Sequence, residues 1–361
     1  MKRILYITRA RLSFSRGHTI NILKTAEAVA KTKQYSVAVF SSAPEPFSHE
    51  KICGEKKVTY PVPLDVSSQK RSYLLYVWNN RDLFDVLYFR DPFLWHMAFL
   101  SRVFLRKRVV FEVHGSHEWV WGKPFWHMSV FFAHGLVFIT KGLMEYYNPS
   151  KPCVVTHVNA VDMKEFEKNN VFSDKQRLDL GLPEGVSLIM YAGNFLWYSW
   201  DVLIRMMHLV PRPAMLILVG AKPEEKELME EAARKEGLQD RVQVHTRVVP
   251  SLYPSYIQAA DVLVNPLCIS YPGSISSKIF EYMAAGKPIV SAKGKAMEEV
   301  LIHEKNALLV DLSAEQFGKA VVRILNDPYM AAELSKNARE SARRFTWEAR
   351  ALDICSLLER I

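Results

Sequence analysis

The chain has 361 residues, which exceeds what one hydrophobic core usually organises, so we expect two domains of about 150 residues each. A hydrophobic content of 49% excludes a disordered or low-complexity protein, and charged residues or His interrupt every long apolar segment, which excludes a membrane-spanning helix. The net charge is +9, and it is divided unevenly, with +10 over residues 1–170 and −1 over residues 171–361. This asymmetry predicts an anionic partner for the N-terminal half, such as a membrane surface, a phosphorylated carrier or a nucleic acid; greater solubility is the alternative.

Short β-rich segments alternate with helical segments along the first half of the chain. The pattern predicts strands at residues 4–8, 36–41, 86–89, 109–114, 136–140 and 154–158. It predicts helices at residues 19–31, 70–83, 94–105 and 141–147. Such alternation is typical of βαβ units, which build a parallel sheet.

The second half repeats the alternation after a polar segment. Strands are predicted at residues 188–192, 215–219, 242–245, 262–265, 289–291 and 307–310. Residues 163–183 are polar and end in Gly-Leu-Pro, so we interpret them as the connection between two domains. The sequence therefore predicts two doubly wound α/β domains, with ligands bound beyond the carboxyl ends of the strands.

Several common nucleotide and metal sites are excluded by their missing motifs. The chain contains no GxGxxG, no GxxxxGK[ST] and no Asp-x-Asp. Cys53, Cys153, Cys268 and Cys355 lie far apart, so we expect neither a zinc site nor a disulfide framework, as fits a reducing cytoplasm. His114 and His117 lack a neighbouring cluster of carboxylates or cysteines, so we expect no metal and no cofactor.

The most informative segment is residues 264–290, VNPLCISYPGSISSKIFEYMAAGKPIV. A strand ends at Asn265, and a loop rich in Gly and Ser leads into a helix that begins near Ser276. The free N–H groups and the dipole of such a helix start favour a bound diphosphate. Lys278 adds a positive charge in the first turn, which opposes the helix dipole unless an anion is bound. Glu281, one turn later, could accept hydrogen bonds from both hydroxyls of a ribose.

Residues 276–290 resemble the donor-binding signature of the retaining, nucleotide-sugar-dependent glycosyltransferases of family 4. Residues 158–162 (VNAVD), 259–266 (AADVLVNP), 306–310 (NALLV) and 345–348 (FTWE) resemble further elements of that family, so the resemblance extends over nearly the whole chain. It implies the GT-B fold, in which two doubly wound Rossmann-like domains face a central cleft. It further implies an acceptor-binding domain at residues 1–165, a donor-binding domain at 183–344 and a last helix, about 345–361, that crosses back to the first domain.

The resemblance also implies functional residues. His114, Lys278 and Glu281 match the catalytic positions: His114 would contact the transferred sugar, Lys278 the diphosphate and Glu281 the ribose. Implied donor contacts are Gly17, Asn194, Thr246, Arg247, Val248, Ser276 and Ser277, where residues 246–248 would hold the base and Gly17 would let the chain approach the phosphates. His18 and Glu112 are candidates for contacts with the acceptor. The alternatives are a hydrogen-bonded structural histidine at 114 and an ordinary helix cap with a surface lysine at 276–278.

The sequence departs from the family pattern at charged positions. A glutamate expected eight residues before Glu281 is Gly273. An arginine and a lysine expected after the first strand of the second domain are missing, because Asn194 stands near the first position and Tyr198 or Ser199 near the second. A leaving diphosphate needs positioned positive charge. Either Lys278, Arg247 and backbone amides supply it, or activity is weak or absent.

Two stretches rich in aromatic and basic residues, 93–108 and 119–132, belong to the N-terminal half. Trp and Phe beside Arg and Lys favour the membrane interface, where a lipid-linked acceptor would be presented. A buried helix with a basic exposed edge is the alternative. We expect a cytoplasmic protein, with peripheral association at the inner membrane face as one interpretation, and a glycan or lipid-linked acceptor.

The sequence therefore predicts a retaining, metal-independent glycosyltransferase that uses a nucleotide diphosphate sugar and binds no nucleic acid. Three other hypotheses stay open. The missing charges favour a non-catalytic GT-B scaffold or partner subunit. A sugar-nucleotide 2-epimerase would share the architecture, and the basic half could bind nucleic acid, although no recognisable motif for it is present.

Overall fold

The computed structural model describes residues 1–10, 17–41, 64–66, 73–115, 123–167, 174–268 and 275–361. Its strands are β1 (Lys2–Thr8), β2 (Tyr35–Ser41), β3 (Leu64–Val66), β4 (Val86–Phe89), β5 (Arg108–Val113), β6 (Gly135–Phe138), β7 (Cys153–Val155), β8 (Ser187–Ala192), β9 (Ala214–Ala221), β10 (Val242–Thr246), β11 (Val262–Asn265), β12 (Ile289–Ala292) and β13 (Leu308–Val310).

The helices of the same ranges are α1 (Gly17–Lys31), α2 (Tyr73–Asn79), α3 (Trp95–Phe99), α4 (Lys123–Phe132), α5 (Lys141–Tyr147), α6 (Asp174–Asp179), α7 (Trp200–Met206), α8 (Pro223–Lys235), α9 (Tyr253–Ala259), α10 (Lys278–Ala285), α11 (Ala314–Asn326), α12 (Pro328–Ala342) and α13 (Trp347–Glu359). None of the helices in this part of the chain combines the length and the apolar character that crossing a membrane would require.

The first structural unit comprises Met1–Ala160 together with Trp347–Ile361. Its described strands form one parallel sheet in the order β3-β2-β1-β4-β5-β6-β7. β4 and β6 are buried along their whole length, because a parallel sheet is covered on both faces and its strands are continuously apolar.

Alternate residues of these strands enter two different hydrophobic cores. Tyr6 and Val110 face one core and Ile7 and Phe111 face the other, as the two-residue period of a strand requires. The first core contains side chains of α1 and α13, and the second contains side chains from α2, α3 and α5. The helix α13, although last in the described sequence, therefore completes a core that begins with β1.

The second unit, Val161–Thr346, repeats this architecture. Its described strands form a parallel sheet in the order β10-β9-β8-β11-β12-β13. One face of the sheet packs on α7, α8 and α11, and the other packs on α9, α10 and α12. Both units are thus doubly wound: from the first strand of each, successive strands are added on one side and then on the other.

Local differences from the sequence predictions have physical causes. β3 was not predicted, and α4 lies in the stretch 119–132, for which a helix was only the alternative interpretation. The expected helix at 94–105 is a 3₁₀ turn (Pro92–Leu94), α3 and a π-helical turn (Leu100–Phe104) in succession. The expected helix at 70–83 is shorter, being α2 followed by a 3₁₀ turn at Arg81–Leu83. Because half of the residues of α4 are aromatic or β-branched and have modest helix propensity, packing of Trp126 and Val130 against the core decides its conformation.

Residues 163–183, expected to be a polar connection, are packed on the second unit where they are described. They contain a 3₁₀ turn (Met163–Phe166) and α6, and the side chains of Phe166 and Leu182 are buried in the core. The guanidinium of Arg177 donates to both carboxylate oxygens of Asp261, at 2.9 and 3.0 Å. Aromatic and aliphatic residues within a mainly polar sequence therefore attach this segment to the second unit.

Candidate functional site

The strand order of the second unit defines a crevice at the carboxyl ends of β8 and β11. β8 pairs with β9 on one side and with β11 on the other, so the connections that leave β8 and β11 lead to opposite faces of the sheet. Doubly wound sheets bind ligands at this point. Gly193 follows β8, and Asn265 and Pro266 lie at the end of β11.

The two segments that leave these strands are joined by hydrogen bonds. Tyr198 and Leu267 form an antiparallel bridge, and the Ser199 amide donates to the Pro266 carbonyl oxygen at 3.0 Å. The Tyr198 hydroxyl lies 2.9 Å from the hydroxyl of Ser276, which is buried. The crevice therefore has a fixed wall of tyrosine and serine next to the start of α10.

Lys278 is the first residue of α10, two residues later than the predicted helix start. Its side chain is buried, and its Nζ atom lies 3.8 Å from the ring centroid of Tyr198 and 5.1 Å from that of Tyr191. Two electron-rich ring faces stabilise the ammonium group. Ser277 is the exposed N-cap residue and makes no side-chain capping bond.

Gly193 makes this position of the lysine possible. Its φ of +142° lies outside the range of L side chains, and a Cβ atom there would be 1.8 Å from Cε of Lys278. A Cβ on Gly220 (φ +106°), at the end of the neighbouring strand β9, would be 2.5 Å from the carbonyl oxygen of Gly193. The backbone and the lysine thus meet in a space that only glycine leaves open.

Glu281 lies one turn after Lys278, on the partly exposed side of α10. The Tyr253 hydroxyl hydrogen-bonds its carboxyl group and lies 3.0 Å from the Ala192 carbonyl oxygen. Burial raises the pKa of Glu281 to about 7, against the attraction of Lys278. Burial likewise lowers the pKa of Lys278 to about 7, against the attraction of Glu281. The site therefore holds an acid and a base that both titrate near neutral pH.

The other predicted donor residues of this unit are more peripheral. Asn194 is exposed, and its carbonyl oxygen accepts a hydrogen bond from the Tyr191 hydroxyl. Thr246 and Arg247 are exposed at the end of β10, and Val248 packs against the core. Since β10 is two strands from β8, these residues lie about 10 Å from the crevice.

In the first unit, His114 belongs to a buried network of charged side chains. Glu112 accepts hydrogen bonds from Nη2 of Arg350 on α13 at 2.8 Å, from Nε2 of His114 at 2.5 Å and from the Tyr88 hydroxyl. Arg350 also donates to Thr25 Oγ1 and to the carbonyl oxygens of Thr156 and His157. Although burial raises the pKa of Glu112, the charge of Arg350 and the hydrogen bond from His114 hold it well below its usual range.

Both ring nitrogens of His114 are engaged within the protein. Nε2 faces Glu112, and Nδ1 lies 3.2 Å from Nη2 of Arg90, so the neutral ring donates to the carboxylate and accepts from the guanidinium. Burial and the charge of Arg90 lower the pKa of His114 to about 4, which keeps the imidazole neutral at pH 7. A sugar contact through either nitrogen would require one of these bonds to open. The predicted acceptor contact of Glu112, which is wholly buried, would require the network itself to open.

Gly17 is the first residue of α1 and follows β1 at the carboxyl edge of its sheet. Gly273 and His117 lie outside the described residues, and so does the side chain of His18. Sequence reasoning missed Gly193 as a site residue, because a lone glycine after a strand carries no motif. It also missed Arg90, Tyr253 and Arg350, whose partners are distant in sequence.

Residues 187–327 match the family model described as glycosyl transferases group 1. A D-inositol 3-phosphate glycosyltransferase of Xylanimonas cellulosilytica is 30% identical over 177 residues, covering 48% of this chain and 42% of that protein. The lipopolysaccharide core biosynthesis glycosyltransferase LpsD of Rhizobium meliloti is 30% identical over 176 residues, or 48% of this chain and 49% of that protein. The chain thus spans less than half the length of each of these relatives.

The solved structure of Anabaena HepE in complex with UDP is similar over 100% of both chains, with a TM-score of 0.80 at 17% sequence identity. The two doubly wound units therefore have the GT-B fold. Residues 187–327 are similar to the group 1 glycosyl transferases, which agrees with the family resemblance of residues 276–290.

We expect Gly193→Ala to lower the free energy of unfolding by at least about 3 kcal/mol, because it adds backbone strain and displaces Lys278. Gly185→Ala is the matched control: its φ is +68°, no atom lies within 4 Å of the added Cβ, and it should cost about 1 kcal/mol. Urea unfolding measures both. The double variant Gly193→Ala/Lys278→Ala should recover part of the loss, and equal costs for the two glycine variants would contradict this account.

We expect Arg350→Met to lower the free energy of unfolding by about 3–5 kcal/mol, since it leaves the Glu112 carboxylate buried without its ion pair. Tryptophan fluorescence during urea unfolding is a suitable measurement, because six of the eight tryptophans belong to the first unit. Adding Glu112→Gln should restore part of the stability in the double variant. Additive losses would show that the two side chains are not coupled.

Proposed function

We propose that this protein is a glycosyltransferase that moves a sugar from a nucleotide diphosphate sugar to an acceptor bound by the first unit. The observation that carries the proposal is the buried lysine at the start of α10, at the crevice of the second unit. A helix start with an added cation attracts a diphosphate, and the cation stabilises the negative charge that develops as the diphosphate leaves.

Lys278 takes the place of the cations that are missing after β8. Its side chain packs against Gly193, and its Nζ lies over the ring of Tyr198. Both residues belong to the segment after β8 that would carry the family's arginine and lysine. The match to the group 1 family model over residues 187–327 supports a nucleotide-sugar donor. UDP is our proposed nucleotide, because the similar HepE was solved with UDP.

With the diphosphate at Lys278, other residues of the second unit would contact the rest of the donor. The Glu281 carboxylate would accept hydrogen bonds from the ribose hydroxyls, and the exposed segment at Thr246–Val248 would contact the base. Ser276 and Ser277, which immediately precede α10, would donate to the diphosphate. His114 would contact the transferred sugar through rearrangement of its bond to Arg90 or Glu112.

We propose that the reaction retains the anomeric configuration and needs no metal ion. The β-phosphate oxygen of the leaving group would assist deprotonation of the acceptor hydroxyl on the face that the diphosphate leaves. The protein would then need no dedicated base, and Lys278 would neutralise the diphosphate in place of a metal cation.

We propose a glycan or lipid-linked acceptor and a position at the inner, cytoplasmic membrane face. Phe104 and Phe131 are 63% and 66% exposed, and basic residues of the same unit accompany them. The guanidinium of Arg102 donates to the Phe131 carbonyl oxygen, and Nζ of Lys151 lies 5.8 Å from the Phe131 ring centroid. Exposed aromatic rings beside positive charges suit an anionic membrane interface.

We expect Lys278 and Glu281 to give opposite pH dependences of UDP-glucose binding. Only protonated Lys278 attracts the diphosphate, so in Glu281→Gln the affinity should fall as the pH rises from 6 to 9, through a lysine pKa of about 7 or below. In Lys278→Met the remaining titration is that of Glu281, so the affinity should be at least about tenfold weaker and should not fall with rising pH. Isothermal titration calorimetry measures both.

The exposed Lys293 provides a control, since Lys293→Met removes the same net charge from the same unit. Its UDP-glucose affinity should equal that of the wild type. If Lys278→Met bound as tightly as Lys293→Met, Lys278 would not be a donor ligand.

We expect turnover of a nucleotide diphosphate sugar with an acceptor to persist in EDTA and to give a product with the donor's anomeric configuration. Release of the nucleoside diphosphate reports the rate, and the anomeric proton in the NMR spectrum of the product reports the configuration. Inversion would disprove retention. Donor binding without turnover for any acceptor would favour the non-catalytic scaffold instead.

A further inference from the structure

Arg90 follows β4 directly, at the carboxyl edge of the sheet in the first unit. β4 pairs with β1 and β5, so Arg90 lies beside the ends of the strands that precede α1 and His114. Nη2 of Arg90 lies 3.2 Å from Nδ1 of His114. Nη1 is buried, and no group among the described residues accepts a hydrogen bond from it.

This is an unusual state for a guanidinium group. Arginine has five N–H donors in a planar fork, and leaving a buried donor of a charged group unpaired costs more than the bond itself would contribute. Within the described ranges, no carboxylate oxygen lies within 4 Å of a nitrogen of Arg90. Its identified side-chain partners, the His114 ring and the Tyr6 hydroxyl, are uncharged.

The neighbouring carboxylates are committed to other partners. Glu112 is occupied by Arg350, Tyr88 and His114. Asp91 accepts from the Phe93 amide at 3.0 Å and lies 3.7 Å from Nε of Arg9. Arg350, by contrast, is fully buried and donates to four oxygen atoms from three of its nitrogens. Among the described residues of this network, Arg90 is therefore the cation that has no carboxylate in ion-pair contact.

We infer that Arg90 binds an oxyanion, a phosphate or carboxylate group, carried by the acceptor. Its planar fork matches two oxygens of such a group, and the bond to His114 fixes one half of the fork while Nη1 stays free. α1 begins at the same edge and has no acidic residue in its first turn, so its N-terminal charge adds to the attraction. The assignment to the acceptor rests on the proposed function, whereas the anion site itself does not.

The test uses inorganic phosphate as the probe at constant ionic strength, with binding to the full chain followed by isothermal titration calorimetry. We expect saturable binding to the wild type and at least about tenfold weaker binding to Arg90→Gln. Arg81→Gln is the matched control, because Arg81 is an exposed arginine of the same unit, and it should bind as the wild type does. No saturable binding to the wild type, or equal affinities of the wild type and Arg90→Gln, would overturn the site.

Loss of folding is separated from loss of the ligand by a second variant. Arg90→Lys keeps the charge but lacks the fork, so its affinity should lie between those of the wild type and Arg90→Gln. A folded Arg90→Lys chain, as shown by circular dichroism, that binds phosphate as tightly as the wild type would show that the planar fork is not used and overturn the inference.

A competition experiment distinguishes the acceptor from the donor as the source of the oxyanion. UDP should bind the wild type and Arg90→Gln equally, and phosphate should still bind when UDP is saturating. Displacement of phosphate by UDP would place the donor in this site and overturn the acceptor assignment. Failure of UDP to bind at all, with phosphate binding intact, would contradict the proposed function and leave the anion site standing.

Discussion

The site of the second unit depends on glycine at position 193, because this residue has no Cβ atom. Lys278 occupies the volume that any Cβ at this position would need, and Gly220 allows the backbone of the next strand to approach from the side. The lysine is consequently held against the rings of Tyr191 and Tyr198, where it loses most of its hydration. Burial of Lys278, which the attraction of Glu281 offsets only in part, leaves a cation that is easily deprotonated, and an anionic ligand would favour its charged form. One glycine thus links a backbone conformation to the charge state of the site.

The two units use different means to hold cations at the carboxyl edges of similar sheets. In the second unit, aromatic rings stabilise Lys278 without neutralising it. In the first unit, Glu112 neutralises Arg350 in a fully buried pair whose hydrogen bonds are almost all satisfied. Among the described residues, Arg90 has neither arrangement. The difference separates an arginine that is neutralised within the unit from two cations that have no carboxylate in ion-pair contact within the described ranges.

The sequence predicted most strands, because buried parallel strands are nearly continuous apolar runs of aliphatic and aromatic residues; β4 and β11 have the predicted bounds. It left the conformation open where packing decides it, as in the aromatic helix α4. Of the site, it predicted the side chains near the start of α10, since a motif fixes their spacing. Contacts between distant segments carry no local pattern: Glu112 and Arg350 are separated by 238 positions, and the contact of Gly193 with Lys278 depends on how β8 and α10 pack.

The return of α13 to the first unit has a consequence for synthesis of the chain. The second unit is one continuous segment, and its two ends are joined, because Val161 pairs with Thr346 and its amide donates to the Phe345 carbonyl oxygen at 2.9 Å. The first unit needs residues that are translated on both sides of this segment. During translation the second unit can therefore complete its core while the first still exposes the apolar surface that α13 will cover. A chain truncated before residue 347 would accordingly retain a foldable second unit and present chaperones and proteases with a defective first one.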